Sequence, residues 1–397
     1  MLDRKVVIAS ACRTPVGGFN GALASLTAPE LGSVVIREAL SRAKVSGSDV
    51  SEVIMGEVLT AGVGQAPARQ AALGADIPNS VPCVTINKVC GSGLKSVMLA
   101  AQAIQTVDAN IVVAGGMESM SNAPYLLDRA RSGYRLGHGT LTDSLITDGL
   151  WDIYNDFHMG EAAELCAREC DISREAQDQF AIRSYQKAQM AQKNGYFAEE
   201  IVPVTVEDGR DTIMVSEDEE PSRAIFDKIP QLKPVFQKDG TVTAANASTL
   251  NDGAAACVVM SEDRAKKLGI EPLAEIVAQA SAAMAPEWFT LAPAKAIPKV
   301  LEKTPLALGN IGLFELNEAF AVVNLAVAKE LSISPRKMNV HGGAVALGHP
   351  LGASGARILV TLLYAMQRYH VKHGLASLCI GGGEATALVV ERYTGNS

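Results

Sequence analysis

The chain of 397 residues is short of several things, and each shortage narrows what it can do. No apolar run approaches the ~18 residues that a bilayer-crossing helix needs, so no membrane partner is expected. Basic residues are in the minority. The 35 Lys and Arg against 43 Asp and Glu give a formal net charge of −8, which speaks against a nucleic-acid partner. An anionic ligand would need a local basic patch or helix N-termini. Aromatics make up 5% and charged residues 20%, beside 48% hydrophobic residues, the composition of a soluble globular protein. Cysteine is neither abundant nor regularly spaced: an odd seven, scattered along the chain, argues against a disulfide framework and for a reducing, cytoplasmic location. Cys166 and Cys170 lie four apart on a predicted helix but lack partner His or Cys at metal spacing. They read as packing residues, and no metal is expected. The N-terminal MLDRKVVIAS enters a strand almost at once, so neither a signal peptide nor a basic presequence is expected.

Glycine is plentiful, at 35 residues, which suits close helix–sheet packing and turns at strand ends. The length predicts two or three domains. Residues 5–11 read as a buried strand, 29–43 as a helix and 53–59 (VIMGEVL) as a second strand. GVGQAPARQAALGA holds only a lone Gly-x-Gly at Gly62 and Gly64, too little for a nucleotide loop, and reads as a helix start. Another helix runs to about Gln105, and 110–114 forms a strand ending in Gly115-Gly116. The alternation predicts an α/β layered fold. From 121 to 247 the texture changes, with Pro203, Pro221, Pro230, Pro234 and the acidic run SEDEEPSR, which suggests an inserted loop domain. Glu217 to Glu220 read as a solvated acidic loop.

The second half then echoes the first. GLFELNEAF (312–320) answers VIMGEVL; the glycine-rich 341–356 answers the turn at Cys90; ASLCIGGGEA (376–385) answers IVVAGGMES. Such a duplication predicts two similar α/β halves about a pseudo-twofold, with the loops after equivalent strands facing one crevice. The predicted domains are 1–120, completed by about 248–271, then the inserted 121–247, and 272–397.

The stretch VPCVTINKVCGSGLKSV (81–97) runs from a β-prone segment through Cys90 and Gly91-Ser92-Gly93 into a helix. A cysteine at a strand-to-helix turn can be a nucleophile, its thiolate favoured by the helix N-terminus. A small buried cysteine ahead of a helix is the commoner meaning of such a residue. Likewise His349 could be a structural histidine and Cys379 a core residue. Together with Asn317 in NEAF, the set supplies a nucleophile, a base, a second thiol to carry a proton and an amide to orient a water. Acyl transfer with carbon–carbon bond formation requires those parts.

These blocks resemble the thiolases along essentially the whole chain. The likeness rests on NKVCGSGLK, GGMESMS, DGLWDIYNDFHMG, TVTAANASTLNDGAA, NEAF and GGAVALGHPLGASGARI. The resemblance implies the layered αβαβα thiolase fold and a reversible Claisen condensation of two acetyl-CoA to acetoacetyl-CoA and CoA. It implies a ping-pong course through an acetyl-cysteine, with Cys90 as nucleophile, His349 as its base and Cys379 as acid and base. Asn317 would hold a water that with His349 forms one oxyanion hole; the amides of Cys90 and Gly381 would form the other. The CoA arm would pass Leu150, His158, Met159, Ser248, Ala319 and Phe320. Met159 in FHMG matches the short-chain branch. PSRAIFDKIP departs from the commoner bacterial form, and Arg223 is the basic residue assigned to the CoA phosphates. Tyr185 and TAANAS are similar to a potassium-stimulated form, so potassium activation is implied, with no tightly bound cofactor. The family also implies a homodimer or homotetramer. Two other readings compete: a degradative 3-ketoacyl-CoA thiolase of broad chain length, which would share Cys90, His349 and Cys379 and differ at the loop containing Met159, and a non-catalytic lipid-carrier or structural relative, which should lack a reactive residue.

Overall fold

The computed structural model describes residues 4–209 and 211–394. Strand β1 (Val6–Arg13) is buried throughout, and helix α1 (Ala28–Ala43) follows it. This helix starts where the sequence provides a stop and a start together. Thr27 and Glu30 close a capping box, Pro29 occupies the first turn, and the buried stripe runs from Leu31 through Val35 and Ile36 to Leu40. Next come β2 (Glu52–Gly56), α2 (Pro67–Gly74), β3 (Cys83–Ile86), α3 (Ser92–Gln105) and β4 (Ile111–Ser119). After the inserted segment, β5 (Asn251–Ser261) and α6 (Glu262–Leu268) complete this half. The second half consists of β6 (Ala274–Ala283), α7 (Ala292–Leu301), β7 (Leu313–Leu316), α8 (Ala321–Leu331), α9 (Leu351–Arg368), β8 (His373–Ile380) and β9 (Glu384–Arg392).

The strands form one sheet in the order β7-β8-β9-β6-β1-β5-β4-β2-β3, with Gly17–Gly18 pairing to β5 off this path. Read outward from the centre, both halves follow the same plan. β1-β5-β4-β2-β3 on one side is matched by β6-β9-β8-β7 on the other, where a parallel bridge from Phe314 to Met338 stands in for the last strand. The joint is a short antiparallel contact, Val7 to Glu275 and Ile8 to Ala274. The echo expected from the sequence is therefore built into the ladder: β2 answers β7, and β4 answers β8.

Three apolar clusters make the layers. α1 and α2 cover one outer face, while α4 (Met159–Glu169), α7 and α8 cover the other. α3 and α9 lie between the strands of the two halves. α9 is buried on almost every side from Leu351 to Met366, as an inner layer demands of a helix. The two inner helices cross close to their N-termini, backbone against backbone. A Cβ on Gly93 would lie 2.7 Å from Ala356 N, and one on Gly355 would lie 2.3 Å from Leu94 N. Only glycine permits that approach, and it draws together the two turns that open these helices.

The inserted segment carries α4, α5 (Arg174–Lys193) and small hairpins such as Trp151–Asp152 with Phe157–His158. The acidic run within it is not a solvated loop. Asp218 is 2% exposed and accepts from both terminal nitrogens of Arg13 at 2.6 and 2.9 Å, while Glu200 takes Arg13 Nε at 2.7 Å. Glu219 accepts from the amides of Gly18 and Ala22. A fully buried guanidinium requires such partners, and no local pattern around residue 218 announces it. Among the described residues no helix is long and apolar enough to cross a membrane.

Candidate active site

Cys90 sits on the turn between β3 and α3, His349 on the turn before α9, and Cys379 near the end of β8. The helix crossing brings these three elements to one place. A cavity of about 400 Å³ opens there, lined by Cys90, His349 and Gly381 together with Leu150, His158, Met159, Ser248, Ala319 and Phe320. Cys379 does not line it. It is 1% exposed behind the wall, near enough that charge on Cys90 opposes its ionisation. Asn317 is also buried behind His349, its Nδ2 3.4 Å from His349 Nε2 and its Oδ1 without a partner among the described residues. Arg223 stands apart. It borders a groove of about 510 Å³ that adjoins the cavity through Phe236 and Ser248, and its guanidinium is held by Glu219 and Glu220.

The orientation of His349 follows from hydrogen bonds. Ser354 Oγ donates its one proton to Pro350 O at 2.8 Å, so His349 Nδ1, 2.5 Å from that oxygen, must be the donor. The lone pair is then on Nε2, beside Asn317. The backbone amide of His349 is tied at 2.9 Å to Asn251 Oδ1, which fixes the ring's stem. Burial, and then the positive charge of Arg357, lowers the His349 pKa to about 3. The ring is neutral at physiological pH and able to accept a proton.

The thiols depart from the expectation of a thiolate stabilised by a helix end. Burial pushes Cys90 up to about 11, against the smaller lowering effect of the Gly381 amide and its own. Cys379 is raised well above the ordinary thiol value by burial first and by Cys90 second. Desolvation outweighs the two amide donors because apolar side chains of both halves, Val58 and Leu59 from one and Leu351 from the other, pack beside Cys90. The resting site therefore holds a neutral thiol beside a neutral imidazole.

Aromatic rings close the cavity. His158, the N-cap of α4, takes the Gly160 amide on Nδ1 and stacks on Phe236 at 4.7 Å. Phe236 and Phe289 each meet Phe320 edge-on, with centroids 6.3 and 6.4 Å apart. Ser354, Asn251, Phe236 and Phe289 escaped the sequence reading. Ser354 had a usable signal, one turn after the histidine at the start of a helix; Phe236, in an irregular segment, had none. Beside the site, Glu118 accepts from the amides of Val58, Leu59 and Gly352, so one carboxyl group ties the loop after β2 to the start of α9. Among the described residues no group of three His, Cys, Asp or Glu side chains converges as metal ligands would. The Cys166 and Cys170 sulfurs lie 3.9 Å apart, with Cys166 packed in the outer apolar cluster.

The N-terminal domain pattern of the thiolases matches residues 6–263, and their C-terminal domain pattern matches 270–392. The chain belongs to the thiolase family. It is 56% identical over 389 residues to an acetyl-CoA acetyltransferase of Cupriavidus necator, covering 98% of this chain and 99% of the relative. It is 54% identical to acetyl-CoA acetyltransferase 1 of Arabidopsis thaliana, covering 98% and 94%. Among solved structures, a thiolase of Ascaris suum in complex with coenzyme A superposes with a TM-score of 0.93 at 47% identity, over 98% of this chain and all of that one. The acetyl-CoA acetyltransferase of Bacillus anthracis gives 0.96 at 44% identity, over 98% and 99%. The thiolase fold expected from the sequence is thus the fold observed, and the chain is an acyltransferase.

Proposed function

We propose that this thiolase is an acetyl-CoA C-acetyltransferase that condenses two acetyl-CoA into acetoacetyl-CoA and CoA, reversibly and by a ping-pong course. Cys90 Sγ attacks the carbonyl carbon of the first acetyl-CoA while its proton passes to His349 Nε2. The carbon–sulfur bond to CoA breaks, and CoA leaves with the proton of Cys379. The Cys379 thiolate then removes a proton from the methyl group of the second acetyl-CoA. The resulting carbanion attacks the acetyl group on Cys90, and the departing Cys90 sulfur recovers its proton from His349. The amides of Cys90 and Gly381 form one oxyanion hole. The unpaired Asn317 Oδ1 suits an ordered water that, with His349, forms the other.

What carries this reading is one apolar cavity, closed by Met159 and Phe320, that is lined by the Cys90 thiol and the Nδ1-protonated imidazole of His349, with the Cys379 thiol buried behind its wall. A neutral base and a thiol of raised pKa suit a step in which proton transfer accompanies attack. A Cys379 thiolate destabilised by its surroundings is a strong base for a methyl proton. The rings of Phe320 and Phe289 also weigh against a degradative enzyme of broad chain length. A CoA arm would pass Leu150, His158, Met159, Ser248, Ala319 and Phe320 and leave by the groove that Arg223 borders, where that residue would turn from Glu219 to a phosphate. Isotope exchange tests the course. Labelled CoA should exchange into acetyl-CoA with no other acceptor present, whereas exchange that requires a second acetyl-CoA would rule out the ping-pong order.

We further propose a homodimer or homotetramer, supported by the exposed apolar arm of Tyr125, Leu127, Leu136 and Leu141 and testable by light scattering. Seven free cysteines support the cytoplasmic location, which cell fractionation would check. The partition into 1–120 with 248–271, 121–247 and 272–397 is likewise our proposal, tested by superposing the first segment on the last.

A further inference from the structure

Two turns meet at the cavity floor, and no strand ladder sets the distance between them. The turn before α3 follows β3 and the Gly381 turn follows β8, strands that stand near opposite ends of the sheet order. The first turn is tightly held within itself. Lys88 N donates to Ser92 Oγ at 2.8 Å, Ser92 Oγ donates to Val89 O at 2.7 Å, and Val89 N donates to Asn87 Oδ1 at 2.9 Å. Val89 adopts φ +46°, a conformation that a β-branched residue keeps only when its surroundings impose it. The second turn passes through Gly382 and Gly383 at φ +85° and +80°, and Gly383 O is anchored by the amide of Met284.

Between the turns there is close packing and one charged link. A Cβ on Gly91 would fall 2.3 Å from Ile380 Cδ1, so the backbone there rests directly on the other half. Lys88, two residues before Cys90, puts its ammonium on the carboxylate of Glu384, three residues after Gly381. Among the described residues it is the one ion pair that joins these turns. The amides assigned above to one oxyanion hole, those of Cys90 and Gly381, belong one to each turn. Their separation must match a single thioester oxygen.

We infer that the Lys88–Glu384 ion pair is a positioning clamp that holds the Cys90 and Gly381 amides at the spacing the oxyanion needs. Neither side chain touches the reacting atoms; the pair acts through the two turns. The inference rests on the proposed roles of Cys90 and Gly381. Because the clamp sets geometry that matters most in the transition state, its loss lowers the rate of acetyl transfer and leaves acetyl-CoA binding nearly unchanged.

The test is the single-turnover rate of Cys90 acetylation by acetyl-CoA, followed by mass spectrometry after rapid quenching. Lys88→Met and Glu384→Gln should each slow the saturated rate about tenfold, short of the roughly hundredfold or greater loss from deleting an oxyanion donor outright. The half-saturating acetyl-CoA concentration should stay within about twofold of wild type. The double variant should be no slower than the slower single variant, and Lys88→Arg should keep most of the rate. Unchanged rates in both single variants, multiplied losses in the double, or an effect confined to half-saturation would overturn the clamp. A wild type that acetylates Cys90 beside a Lys88→Met that does so equally fast defeats the clamp alone. A wild type that acetylates no Cys90 defeats the reading of the site on which it rests.

Discussion

Replacing Met159 by alanine should lengthen the acyl chain that the enzyme accepts. Met159 is 7% exposed at the start of α4, and its Sδ lies 3.5 Å from the point where a Cβ on Gly381 would sit. The thioether therefore occupies the end of the cavity beside one of the amides assigned to the oxyanion. Each extra methylene forced against it should cost roughly 1–3 kcal/mol. 3-Ketohexanoyl-CoA, longer than acetoacetyl-CoA by two methylenes, should then be cleaved by the wild type more slowly by roughly thirtyfold or more. Met159→Ala removes Cγ, Sδ and Cε and leaves the rest of the wall in place. The ratio of kcat/KM for the longer substrate to that for the shorter should rise roughly ten- to hundredfold, the discrimination that one or two methylenes can carry. Stability should fall by about 2 kcal/mol, the low end for methionine to alanine, because the deleted atoms border a cavity. Thiolysis of both substrates, followed by loss of the 3-ketoacyl thioester absorbance, gives the ratio directly. An unchanged ratio in a folded variant would refute the assignment of Met159 to the acyl end.

The depressed pKa of His349 predicts an acid limb of stability. The unfolded chain takes up its proton near pH 6.5 and the folded one only near 3, so the stabilisation is complete above about 6.5. It is lost as pH falls toward about 3, on the order of 5 kcal/mol in all. His349→Asn should remove this dependence; equal losses for variant and wild type in urea titrations at pH 7 and about 4.5 would contradict it. Arg13→Met leaves Asp218 and Glu200 buried without their cation and should cost about 3–5 kcal/mol in thermal or denaturant unfolding. A loss of under about 1 kcal/mol would return Asp218 to the status of a surface residue. Gly355→Ala pushes a methyl group into the backbone of α3 and should cost roughly 1–3 kcal/mol along with activity. Full activity with unchanged stability would show that the crossing does not set the site.

What could be read in the sequence depended on how local its cause was. The turn at Cys90, the glycine-rich approach to His349 and the strand before Gly381 each announce themselves through glycine beside an apolar run, and the structure places all three at one cavity. The correspondence of β2 with β7 was legible because both are buried strands followed by a functional turn. β7 is shorter than expected, since beyond Leu316 the chain leaves the ladder and Glu318 turns to Ser184 and Asn339. The rest depended on contacts far apart in the chain. Asp218 looks solvated until Arg13, 205 residues away, is seen to need it. Phe236 has no periodic neighbour to mark it as a wall of the cavity. The direction of the Cys90 shift could not follow from a helix N-terminus alone, because the opposing desolvation comes from residues of both halves packed beside it.

The most direct test of the account is to mix the protein with acetyl-CoA alone and locate the acetyl group by intact-protein and peptide mass spectrometry. The first half-reaction needs no second substrate, so the wild type should carry one acetyl group on Cys90 and none on Cys379. Cys379→Ser should still form the Cys90 adduct yet lose condensation, since a hydroxyl is a far weaker base than a thiolate. His349→Ala should acetylate slowly, and Cys90→Ala not at all. An acetyl group on Cys379 in the wild type, or full condensation activity in Cys90→Ala, would contradict the assignment of the two thiols.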